Sequence, residues 1–91
     1  MNKRKDIIPN NLKQFRKACG YNQQQVANLL GFTSFDRISH WEKGDNIPNL
    51  INLFKLSVLY HATPMQLYPE LMDRMSDEVS QRREEKFVTV D

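Results

Sequence analysis

The chain has 91 residues and a formal net charge of +2, from 13 Lys and Arg against 11 Asp and Glu. That length supports one domain with a modest core, and no apolar run is long enough to span a bilayer. Cys19 is the only cysteine, which excludes an internal disulfide and fits a reducing cytoplasm; the basic N-terminus lacks the apolar run of a secretion signal.

Residues 1–9 form a basic arm with Lys3, Arg4 and Lys5. Two readings stand side by side: an unstructured terminus, or an arm that orders on DNA against phosphates or the minor groove. The first helix is expected from Asn10 or Asn11, after Pro9, to Cys19 before Gly20. Leu12, Phe15 and Cys19 share one face at helical spacing, so Cys19 reads as a small core residue. Arg16 lies on the same face, an unusual place for a charge.

The second helix is expected over Gln23 to Leu30, with Asn22 as N-cap and Gly31 past its end. Val26, Ala27 and Leu30 face inward, and Gln24 and Gln25 face solvent. The third helix is expected over Phe35 to Lys43, with Ser34 as N-cap and Gly44 as terminator. Phe32 packs the turn between the two. Ile38 and Trp41, three apart, anchor the third helix in the core. Its outward face then carries Phe35, Asp36, Ser39, His40 and Lys43, although Phe35 can equally fold back on Phe32.

Asp45-Asn46-Ile47-Pro48 is a polar turn, and Asn49 suits an N-cap for a fourth helix over Leu50 to His61. Leu50, Leu53, Ser57 and Tyr60 fit its core stripe. Ile51 and Val58 leave an apolar patch on another face, suited to a second subunit or to the chain's own tail. Thr63 and Pro64 open a short fifth helix, whose Met65, Leu67 and Tyr68 close the core. Beyond Pro69, Leu71, Met75 and Val79 recur every four residues with Met72 beside them, predicting an amphipathic helix over Glu70 to Lys86. Its face with Asp77, Arg82, Arg83, Glu84 and Glu85 stays wet. Such a helix is marginal alone and needs a partner. Phe87 to Val90 has strand propensity.

The run Gln23-x-x-Val26-Ala27-x-x-Leu30-Gly31-Phe32, followed by Ile38-Ser39-x-Trp41-Glu42-x-Gly44, resembles the lambda-repressor/Cro-like (Xre-family) helix-turn-helix. The resemblance extends from about Leu12 to Tyr68. It implies an all-α fold, a compact five-helix DNA-binding domain over residues 10–69. Outside the resemblance, the C-terminal amphipathic helix and tail over 70–91 that the spacing predicts are an additional element, a candidate for dimerisation. One departure is a longer turn, with one residue more than the commonest form between Gly31 and Ile38.

By this resemblance, Arg16 pairs with Glu42 inside the fold, Gln23 bonds a phosphate from a helix N-terminus, and Asn46 contacts the DNA backbone. With the extra residue placed before the third helix, Phe35, Asp36 and His40 fall where the family reads bases, with Ser39 on the same face. Their chemistry allows Phe35 a thymine methyl, Asp36 a cytosine N4 and His40 a guanine acceptor. Arg37 and Lys43 suit phosphates, as does Ser34 at the helix start.

The charge is uneven. Residues 1–69 carry nine Lys and Arg against four Asp and Glu, a net of +5, whereas 70–91 carry four against seven, a net of −3. The basic part coincides with the helix-turn-helix, which suits a polyanion, although surface charge of this size also simply solvates. The three glycines each end a helix, and two histidines with one cysteine make no metal site by spacing, so no catalytic residue, metal or cofactor is expected. The leading expectation is a cytoplasmic DNA-binding regulator, a repressor acting as a homodimer on double-stranded DNA. The alternative is a protein-interaction or antitoxin-type module that uses the same fold without reading bases.

Overall fold

Capping side chains and left-handed residues divide the backbone into six helices. The computed structural model describes residues 7–89, with side chains to residue 85. The helices are α1 (Leu12–Ala18), α2 (Gln23–Leu30), α3 (Asp36–Lys43), α4 (Leu50–Tyr60), α5 (Pro64–Leu67) and α6 (Pro69–Thr89). Every described element is helical, so the fold is all-α: five short helices, with a long sixth added at the C-terminus.

The starts are local chemistry. Asn22 and Gln25 cap α2 reciprocally, each side chain bonding the other's backbone N–H. Thr63 and Gln66 do the same for α5, with Pro64 at its first turn. The Asn49 side chain accepts from Asn52 N at the start of α4. Each such cap contributes about 1 kcal/mol by satisfying an otherwise unpaired donor.

The core joins one or more residues from each of the first five helices. Leu12, Val26, Ala27, Leu30, Ile38, Trp41, Leu56, Tyr60 and Leu67 are all buried, with Tyr68 closing the base. Ala27 has no exposed surface, which brings α2 and α3 close. Phe32 meets Trp41 edge-on, with ring centroids 6.1 Å apart, and fixes the turn against the core.

Several expected positions shift. In α4, Tyr60 is buried as expected and Leu53 and Ser57 are half-buried, but Leu50 is 62% exposed while Asn52 and Leu56 point inward. This helix carries apolar residues on every side, so its periodicity alone does not set its phase. Met65 is exposed; Leu67 and Tyr68 do the closing. Cys19 is also exposed, because α1 ends at Ala18 and the chain turns outward there. Its thiol lies 3.9 Å from the Tyr60 carbonyl oxygen. α6 continues as helix through Phe87 to Thr89, where strand propensity loses to propagation of a helix already formed.

Candidate nucleic-acid interface

α3 presents one face to the core and one to solvent. Ile38 and Trp41 hold it from behind, both buried. Asp36, Arg37, His40 and Lys43 are exposed, and Ser39 is half-buried. The helix begins at Asp36, one residue later than expected, with Phe35 in the N-cap position. Ser34 is displaced from that role: its Oγ accepts from Asp36 N at 3.1 Å, closing a local turn just ahead of the helix. Phe35 is 44% exposed, so it is not folded into the core behind the helix.

The rigidity of this face comes from Glu42. Its Oε2 accepts from Arg16 Nε at 2.6 Å, and its Oε1 accepts from Arg16 Nη2 at 3.1 Å. Arg16 Nη1 also donates to the Tyr21 carbonyl at 3.0 Å. The hydrogen bond to Glu42 outweighs burial and raises the guanidinium above its ordinary range. Gln23 joins the same cluster, its Nε2 donating to Glu42 Oε1 at 3.0 Å. One carboxylate therefore ties α1, α2 and α3 together. The Gln23 amide, expected at a phosphate, spends a donor on this internal network.

Arg37 lies on the opposite edge of α3. Its Cζ sits 4.7 Å from the Phe32 ring centroid, a cation–π contact of roughly 0.5–1 kcal/mol at an exposed site. The contact orders a cation that is otherwise long and mobile. Arg37, His40, Asn46, Asn49 and Asn52 line a polar cleft between α3 and the loop leading to α4. Lys43 completes the outward edge at the last turn.

Two features of the site escaped sequence reasoning. His40 Nδ1 lies 2.9 Å from Asp45 Oδ2, just past the helix end. The chain before α1 is also stitched to α3: Ile8 N donates to the Gly44 carbonyl at 2.9 Å, and Asn10 Nδ2 donates to the Trp41 carbonyl at 3.1 Å. Lys3, Arg4 and Lys5 lie outside the described residues, but the root of their arm is fixed beside the C-terminal end of α3.

A family model described as Helix-turn-helix, HTH_3, matches residues 12–67. The chain belongs to this family. The match covers α1 to α5 and stops short of α6. HTH_3 is a family of DNA-binding regulatory domains of the Xre and lambda-repressor kind, so this helix-turn-helix chain is a member of a DNA-binding regulator family. Comparison with curated proteins and with solved structures finds no match. No helix among the described residues is long and apolar enough to cross a membrane, and no three of their His, Cys, Asp or Glu side chains group as a metal site.

Proposed function

We propose that this protein is a sequence-specific transcriptional regulator, a cytoplasmic repressor that binds a two-fold operator as a homodimer. One observation carries the reading: α3 is braced from behind by Ile38, Trp41 and the Glu42 cluster, while Asp36, Arg37, His40 and Lys43 stand free of the core on one side. A helix so held enters the major groove as a unit. Phe35, Asp36, Ser39 and His40 then read base edges. Ser34, Arg37, Lys43 and Asn46 hold phosphates, and Gln23 contributes through the first turn of α2, where backbone N–H groups and the helix dipole favour an anion. The arm with Lys3, Arg4 and Lys5 follows from its root beside α3 onto the same duplex.

The homodimer rests on α6. Its 21 residues span about 30 Å, yet only Leu71 is half-buried among the described side chains after Glu70. Met72, Met75 and Val79 form an exposed apolar line, beside a groove lined by Ile47, Pro48 and Leu53. A helix left bare along most of its length is marginal in water, and a second copy supplies the missing cover. Two copies then present their α3 helices about one DNA turn apart, roughly 34–36 Å.

Selection from random duplexes tests the reading. The expected result is an enriched motif with two-fold symmetry; no enrichment at low salt refutes it.

The interaction-module reading has one observation in its favour. Leu29, Ile51, Phe54 and Val58 are each more than half exposed and adjoin one shallow apolar hollow. An apolar cluster of this kind marks a protein contact. Salt separates the two readings, since several phosphate contacts impose a steep fall of affinity with ionic strength.

A further inference from the structure

The end of α3 builds a side-chain arrangement on its reading face. Gly44 takes the left-handed conformation, φ +83°, and reverses the chain. Asp45 N then donates to the His40 carbonyl at 3.0 Å, the bond that closes a glycine-terminated helix. The same reversal sets the Asp45 carboxylate over the His40 ring, Oδ2 to Nδ1, at 2.9 Å. The Asp45 side chain is 36% exposed and that of His40 54% exposed.

A carboxylate is poorly placed here by general electrostatics. The C-terminal pole of a helix is negative, and a DNA-facing surface must meet phosphates. A ring N–H at 2.9 Å offsets part of both costs. An ionised carboxylate only accepts, so the ring nitrogen facing Asp45 must carry a hydrogen. In the neutral imidazole the other nitrogen, Nε2, then holds a lone pair. Among the described residues, no protein group is hydrogen-bonded to Nε2.

We propose that Asp45 is a specificity-determining positioning residue: by holding the His40 proton on Nδ1, it makes Nε2 an acceptor for the exocyclic amino group of adenine or cytosine. This reverses the donor role that the residue type alone suggests, in which His40 would donate to guanine. Adenine N6 and cytosine N4 are the amino donors of the major groove, and guanine offers none there. The proposal rests on the DNA-binding reading above, and its two arms keep the two apart.

The first arm needs no DNA. Two-bond ¹H–¹⁵N spectra of the full chain at pH 8 report which nitrogen is protonated. The wild type is expected to show His40 with its hydrogen on Nδ1, and Asp45→Ala to shift toward Nε2. A wild-type ring protonated on Nε2 overturns the assignment whatever DNA it binds. The second arm compares duplexes selected at pH 8 by wild type, Asp45→Ala, Asp45→Glu and His40→Ala. The base pair read by His40 is the one whose preference disappears in His40→Ala. At that pair the wild type is expected to prefer adenine or cytosine. Asp45→Ala is expected to lose roughly threefold to tenfold of the preference, one hydrogen bond's worth, with Asp45→Glu restoring part of it. The loss comes without weaker overall binding, because a negative charge is removed. Enrichment by the wild type with an unchanged preference in Asp45→Ala overturns this assignment alone. A wild type that enriches no duplex removes the DNA-binding reading, and the assignment with it.

Discussion

Arg16 and Glu42, 26 residues apart, meet through two hydrogen bonds of 2.6 and 3.1 Å with both side chains nearly out of solvent. The pair anchors the reading helix to α1. A buried pair contributes little net, but either partner left alone is costly. Glu42→Ala strands the Arg16 guanidinium and removes the acceptor of Gln23, so it is expected to destabilise by roughly 3–5 kcal/mol in urea unfolding. The double variant Arg16→Met with Glu42→Leu is expected to recover most of that loss. A double variant no more stable than Glu42→Ala would show that the pair itself, rather than the stranded charge, holds the fold.

Gly44 is constrained twice, and Gly20 once. Both have positive φ, +83° and +82°. A Cβ on Gly20 meets nothing within 4 Å, whereas one on Gly44 falls 2.5 Å from the Ile8 carbonyl oxygen. Gly20→Ala is therefore expected to cost the conformational strain alone, ~1–2 kcal/mol. Gly44→Ala adds a clash with backbone that cannot turn aside, a further ~1–3 kcal/mol, and lifts the root of the basic arm off α3. Urea unfolding of the two variants compares them directly. Equal losses would mean that Ile8 yields at no cost.

These contrasts mark what was legible in the sequence. The starts of α2, α4 and α5 are written in neighbouring residues: Asn22 with Gln25, Asn49, and Thr63-Pro64 with Gln66. A cap needs only three or four residues to act, so the chain states it outright. Arg16 was conspicuous as the charge on an otherwise apolar face. The phase of α4 was not legible, because apolar residues surround it and only packing selects Leu56 over Leu50. The docking of Ile8 and Asn10 on α3 depends on the chain entry being folded back, which no local pattern encodes. The His40–Asp45 pair did leave a sign. A glycine-terminated helix places the residue after the glycine near the last turn it closes, and here the two residues that meet are a carboxylate and an imidazole.

Tyr68 and Tyr60 make stability sensitive to alkali. Burial pushes the Tyr68 hydroxyl up to about 12. Burial first, then the Glu42 charge, raises Tyr60 as well. Neither buried hydroxyl has a hydrogen-bond partner among the described residues. An unfolded tyrosine titrates near ~10, so below that pH both states keep their protons and stability is unaffected. Above it the unfolded chain releases protons first, and stability falls as pH climbs from about 10 toward 12. Calorimetry from pH 8 to 12 is expected to show Tm dropping across that window. Tyr68→Phe is expected to flatten part of the drop, and at pH 8 to match or exceed wild-type stability, since it removes an unpaired polar group. A Tm independent of pH up to 12 would contradict the burial argument.

Val79 is the last aliphatic residue of the exposed line on α6 among the described side chains, and it is half exposed. If two copies cover one another there, Val79→Glu places two like charges in or near the contact and removes the apolar area that drives it. Sedimentation equilibrium is expected to show a dimer for the wild type and a monomer for Val79→Glu at the same concentration. Any loss of helix content in the variant is expected to stay within the share that α6 supplies, because α1 to α5 do not depend on this residue. A wild type that stays monomeric at tens of micromolar would remove α6 as the dimer element.

Lys43 and His40 stand on the same helix, one turn apart and opposite in expected effect. Lys43 is exposed at the last turn of α3, where a cation also suits the negative helix pole. A phosphate contact carries no sequence information, so Lys43→Ala is expected to weaken every duplex alike. The dependence of log affinity on log salt should become shallower by about 0.9 for each phosphate that the variant leaves unneutralised. His40→Ala is expected to leave that slope unchanged and to alter which duplexes win. Fluorescence anisotropy against the selected site and a scrambled one, at 50 and 200 mM salt, separates the two. Should Lys43→Ala instead change the preferred sequence with its slope intact, Lys43 would be facing a base edge, and α3 would sit in the groove rotated from the orientation argued for it.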